Sequence, residues 1–188
     1  MFLSCKRRLT VLLIITSFSV VMFTACETEE EVFDERPLIA VNSYIYELSN
    51  ALIDDLFIAD LKGWSRKYYE DDLPFYYDQE RREWLAEHRK NLETIRNNHL
   101  VEQFPSEEEI AEWEVVIVRG DQEWLLEGDE VNNALQKLSD LFDEVMEILE
   151  MIEDTEGELD EAQSKQVLEV LEIIEPRVNE VREVLFRQ

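Results

Sequence analysis

Apolar residues recur along most of this chain at steps of three and four, the period of a helix with one buried face. The first such stripe is Leu38, Val41, Ile45, Leu48, Leu52, Leu56 and Ala59. Pro37 suits a first helical position and Gly63 a C-terminal cap, so one helix over about 37–61 is expected. After an aromatic connector ending at Leu73-Pro74, a second stripe runs Tyr77, Trp84, His88, Leu92, Ile95 and His99, stopping before Phe104-Pro105. The third is Val131, Leu135, Leu138, Phe142, Val145, Leu149 and Ile152, flanked by Ala134, Leu141 and Ile148. Its face is wide enough to meet two neighbours, which fits a bundle better than a two-stranded coiled coil. Glu156-Gly157 interrupts it, and a fourth stripe follows at Val167, Leu171, Ile174, Val178, Val181 and Leu185. The short Gly-containing turn makes the last two helices an antiparallel hairpin, and Pro176 is expected to kink the final one.

Residues 105–128 break this period. Ser106 and Glu109 have the spacing of a capping box, which starts a helix. Val115-Val116-Ile117-Val118 then place four β-branched residues in a row, followed by Gly120-Asp121 and Trp124-Leu125-Leu126. Two such runs about Gly-Asp predict a β-hairpin at about 113–127, with Ile117 opposite Trp124 and Val115 opposite Leu126; continuous helix is the alternative. The expected fold is mainly α: an antiparallel helical bundle of about four helices with a small β-hairpin insert.

The N-terminus follows another rule. Lys6, Arg7 and Arg8 precede fifteen apolar-region residues, Leu9 to Phe23. That is short for a membrane span, which needs about 20 apolar residues, and has the proportions of a secretory signal. Phe23-Thr24-Ala25-Cys26 resembles the lipobox of bacterial membrane lipoproteins. The resemblance implies that residues 1–25 are a signal peptide that is removed. Cys26 would then become the N-terminus, carry a diacylglyceryl group and receive a further palmitate-type chain. The plain alternative is an ordinary signal or anchor with a chance cysteine. One acyl chain holds a protein only marginally, whereas two or three hold it durably. The acidic run Glu27–Glu35 then reads as a solvated tether over 26–36, leaving 37–188 as the folded domain. An acidic stretch after the lipidated cysteine is also found in surface-exported lipoproteins of some Gram-negative groups. The expected address is the cell envelope, on the outer rather than the inner membrane, facing the periplasm or the surface.

Charge narrows the partners. Three of the 18 bases leave with the leader while all 45 acids remain, so the mature chain carries −30. That charge repels nucleic acid and anionic headgroups, so nucleic-acid binding is set aside. Cys5 leaves with the leader and lipid occupies Cys26, so the domain holds no disulfide and depends on packing. Residues 62–101 balance eight acids against eight bases. This neutral section also holds Trp64, Tyr68, Tyr69, Tyr76, Tyr77 and Trp84, a candidate partner or ligand surface because interfaces favour aromatics with Arg. The competing reading is that these rings fill the core where helices join.

Catalytic and metal motifs are weak. His88 and His99 stand eleven residues apart, about 16 Å along a helix, too far to share a metal. Aligned on Gly157, the acidic 154–160 turn places Ile152 and Gln163 where a calcium loop needs ligands. Neither a phosphate loop nor a nucleophile elbow is present. No catalytic residue, metal site or cofactor is therefore nominated. The expected role is a non-enzymatic binding or scaffolding module acting on a protein partner. An acidic inhibitor or immunity-type protein masking a basic partner is the first alternative, and a small-ligand carrier or bundle enzyme the second.

Overall fold

A computed structural model of the protein describes residues 9–12, 35–65, 79–98, 104–119, 121–155 and 157–185. The described residues are mainly helical, in six helices with a small sheet. The helices are α1 (Arg36–Leu52), α2 (Asp55–Trp64), α3 (Gln79–Asn98), α4 (Glu107–Ala111), α5 (Gly128–Asp154) and α6 (Glu161–Leu185). The strands are β1 (Leu9–Leu12), β2 (Glu114–Arg119) and β3 (Gln122–Glu127), in the order β1-β2-β3.

The first stripe does not form one helix. Asp54 leaves the helical region (φ −58°, ψ 128°), and its carboxylate accepts from the amides of Leu56 and Phe57 at 3.0 Å each. This cap starts α2 as a new helix and shifts its phase. Leu38, Val41, Ile45, Leu48 and Leu52 are buried as the period predicts, but Leu56 is 67% exposed and Ala59 is also exposed. Phe57, Leu61 and Trp64 take the inward positions. Gly63 lies within α2 rather than capping it, and Ser65 is the cap.

α5 and α6 follow their patterns closely. Val131, Ala134, Leu138, Leu141, Phe142, Val145, Ile148, Leu149 and Ile152 are buried, against Val167, Val170, Ile174, Val178, Val181 and Leu185. Lys137 meets Glu180 at 2.9 Å and Arg177 meets Glu144 at 2.6 Å, so partners descend along α6 as they ascend along α5 and the pair is antiparallel. Gly157, at φ +92°, turns the chain in the left-handed region where a side chain is strained. The carboxylate of Asp160 accepts from the Gln163 amide at 2.8 Å, while the Asp160 amide donates to the Gln163 side chain at 2.9 Å. The acidic turn therefore ends in a helix cap. α6 runs through the exposed Pro176 without interruption.

The α4–hairpin segment agrees with the expectation in detail. Ser106 and Glu109 form both bonds of the capping box, at 2.7 and 3.2 Å. β2 and β3 pair antiparallel with Ile117 opposite Trp124 and Val115 opposite Leu126. Gly120, the first residue of the expected Gly-Asp turn, lies outside the described residues. Gly128 joins hairpin to α5: its amide donates to the Trp113 carbonyl at 2.9 Å. A Cβ there would stand 1.8 Å from the Ile110 carbonyl oxygen, so only glycine lets α4 and α5 approach this closely.

Candidate functional site

Of the aromatic surface nominated above, Trp64 and Trp84 are described; Tyr68, Tyr69, Tyr76 and Tyr77 lie outside the described residues, as do Cys26 and His99. Trp64 is 1% exposed and belongs to the core, with the Arg82 guanidinium 5.0 Å from its ring centroid. Trp84 is half-buried and stacks on His88, their centroids 5.3 Å apart. Phe57 stacks on His88 at 4.3 Å, and His88 Nε2 lies 3.1 Å from the Ala51 carbonyl. Burial pushes the imidazole below its ordinary pKa; the Ala51 bond and the Asp54 charge pull it partly back. His88 thus joins the end of α1, the start of α2 and α3. Beside it, buried Asp60 pairs with Arg81, which satisfies a carboxylate that is costly to bury alone.

The arginines of α3 carry an order that the sequence reading missed. Arg82, Arg89 and Arg96 stand seven apart and therefore on one face. All three reach α5. Arg82 donates to the Ile152 carbonyl at 3.2 Å, Arg89 to Glu150 at 2.9 Å and also to Glu153, and Arg96 to Asp143 at 2.8 Å. Arg96 also lies 4.5 Å from the Phe142 ring centroid. The charge balance of 62–101 is thus directed inward in good part, against the acids of α5. A seven-residue Arg repeat facing Asp143 and Glu150, themselves seven apart, was the signal available in the sequence.

Two surfaces remain as candidates for contact. The first is a cleft of about 430 Å³ between α1, α3, the 104–110 segment and α5, lined in part by Tyr44, Arg96, Phe104, Asn132 and Gln136. Tyr44 and Phe104 meet edge to face at 5.6 Å, and burial raises the Tyr44 pKa although Arg96 opposes it. The second is the outward face of α1. Between Pro37 and Ile53 the only charged residue is Glu47. Ile39 and Tyr46, one heptad apart on one face, are 54% and 57% exposed, and Ser43 and Asn50 are exposed between and beyond them. Arg182 borders this face through its bond to Asn50.

Among the described residues no group of three or more His, Cys, Asp or Glu side chains is placed to hold a metal, and no helix is long and apolar enough to cross a membrane. No protein-family model, no curated protein and no solved structure matches this chain.

Proposed function

We propose that the mature protein begins at a lipidated Cys26, is held on a bacterial envelope membrane by that lipid, and acts there as a non-enzymatic binding or scaffolding module. Residues 1–25 are the removed leader, 26–36 a solvated acidic tether, and 37–188 one domain. Its long elements α1, α3, α5 and α6 are arranged as an antiparallel bundle. The ion pairs from α3 to α5 and from α5 to α6 support that arrangement.

The observation that carries the binding role is the sparsely charged outer face of α1, where Glu47 is the only charged residue between Pro37 and Ile53. A chain of charge −30 places a single exposed acid, Glu47, on this outward side, while exposing Ile39 and Tyr46. Depletion of charge around an exposed aromatic is the composition of an interface centre. The stripe also starts only about a dozen residues after Cys26, close to whatever else the membrane holds. The acidic-inhibitor reading is supported by a different region, the solvent side of α5, where Glu147 and its neighbours face outward. Strong charge of one sign speeds capture of an oppositely charged partner.

A photo-crosslinking residue placed at Tyr46 or at Glu147, in the full chain in its own membrane, separates the two. Adducts from position 46 alone support the scaffold reading. Adducts from position 147 alone, with a basic protein, support the inhibitor reading and contradict the assignment of the α1 face.

A further inference from the structure

We infer that the free edge of β2 is a strand-acceptor site, filled in the mature protein by an extended apolar segment of a partner running parallel to β2. The inference rests on the reading that residues 1–25 are removed. β3 covers one edge of β2. On the other edge lies β1, four residues of the leader, paired in parallel with Leu9 opposite Val115 and Leu12 opposite Val118. Removal of the leader strips that edge of its strand.

The phase of the ladder shows which groups are then exposed. Gly128 donates to the Trp113 carbonyl, which continues the β2–β3 ladder beyond Glu114 opposite Glu127. Hydrogen-bonded positions alternate along an antiparallel pair. Trp113, Val115 and Ile117 therefore bond toward β3, and the amides of Val116 and Val118 point to the edge that β1 occupies. The side chains alternate with the same period, but between the two faces of the sheet. Val115 and Ile117 are buried, whereas Val116 and Val118 are half-buried on the outer face, beside Leu125, which is 37% exposed. Native edge strands are usually protected by Lys, Pro, a bulge or a covering element. Val115–Val118 carries neither Lys nor Pro, and its register with β3 is unbroken by a bulge.

The occupant's chemistry follows from the strand that β1 supplies. Leu9-Thr10-Val11-Leu12 is uncharged and apolar, and it directly follows Lys6-Arg7-Arg8. Backbone pairing gives such an added strand its affinity, and alternate side chains give it selectivity. In a protein of charge −30, basic residues beside the strand favour approach, and an acidic strand is repelled. The partner segment is thus apolar over four residues or more, rich in β-branched or leucine side chains and flanked by bases.

The test uses the lipoprotein extracted from its membrane in detergent, with its N-terminus read by mass, and a fluorescent peptide of residues Lys6–Leu12 as the probe. Saturable binding is expected, with slowed hydrogen exchange at the Val116 and Val118 amides and little change at Val115 and Ile117. Val116→Pro removes an outward amide and leaves the bonds to β3, so it should weaken binding at least about tenfold. Hydrogen exchange on the unaltered protein decides the matter should that variant misfold. A scrambled peptide that binds equally well reduces the effect to charge attraction and overturns the proposal, as does unchanged exchange at Val116 and Val118. A processed protein that binds no peptide contradicts the acceptor site alone. A protein retaining residues 1–25 contradicts the anchor reading and the acceptor site together.

Discussion

Along α5 and α6 an unbroken stripe of Leu, Ile and Val faces inward, and the cross-helix pairs Lys137–Glu180 and Arg177–Glu144 sit at its exposed margin. Across α1, α2 and α3 the apolar contacts are interrupted by polar groups with fixed partners: Asp54 at a cap, Asp60 against Arg81, and His88 between two rings. The first region is held by area removed from water, which depends little on the identity of the polar side chains around it. In the second, particular polar side chains set where the chain breaks and how its helices are phased. α3 links the two, because its arginine row neutralises acids that α5 would otherwise present to one another.

Four perturbations should separate the regions. Leu138→Ala in α5 leaves a cavity at a fully buried site and should cost about 2–5 kcal/mol, read as a lowered midpoint in urea. A loss below about 1 kcal/mol would mean that the α5–α6 seam is not the main apolar contact. Next in size is Gly128→Ala, at the joint between hairpin and α5. The Ile110 carbonyl is backbone and cannot swing away, so overpacking of roughly 1–3 kcal/mol is expected. A melting temperature equal to that of the unaltered protein would place α4 further from α5 than described. In the α1–α3 region, Asp54→Ala removes a cap that serves two amides and should cost about 1 kcal/mol, whereas Asp54→Asn should retain most of the stability. Equal losses in the two variants would contradict the cap.

His88 supplies the pH dependence of that same region. Its pKa in the folded protein lies below the unfolded value of about 6.5. The unfolded chain therefore takes up the proton first, so this contribution is fully present above that value and is lost as pH falls below it. His88→Gln should flatten the fall in stability just below pH 6.5. An unchanged slope would show that other groups cause it.

Much of this architecture was legible in the sequence, and the exceptions share a cause. The α5 and α6 stripes, the Ser106 capping box and the β2–β3 register depend on residues near one another in the chain, and local patterns report them well. The α1–α2 break was missed because Leu56 and Ala59 continue the period numerically, while the Asp54 cap competes with it and wins. Leu85, buried in α3, was passed over in favour of its neighbour Trp84, which is only half-buried. The arginine row depends on contacts between positions about 50 to 70 residues apart, which periodicity within α3 does not reveal. Of the nominated aromatic residues, Trp64 and Trp84 are the ones described. Such a composition suits an interface or a core, and for Trp64 it is burial in the core cluster, not composition, that shows where the ring lies.

The smallest expected effect is that of salt. Asp143 and Glu147 stand four apart on α5, and such like-charge pairs each cost about 0.2–0.5 kcal/mol when exposed. Arg96 already holds Asp143 and Arg177 holds Glu144, so screening removes attractions as well as repulsions. With 45 acids against 15 bases beyond residue 25 the repulsion still dominates, and the melting temperature should rise modestly up to about 1 M NaCl, where the screening length is about 3 Å. A steady fall would mean that the inter-helix ion pairs outweigh the net charge.

In the proposed reading the anchor at Cys26 places this acidic domain beside a membrane, and the intact mass of the protein extracted from its membrane tests it most directly. The account predicts a chain of residues 26–188 bearing a diacylglyceryl group on Cys26, with the lipid absent and the leader retained in Cys26→Ser. A membrane-bound protein that keeps residues 1–25, or that starts at another residue and carries no lipid, would contradict it.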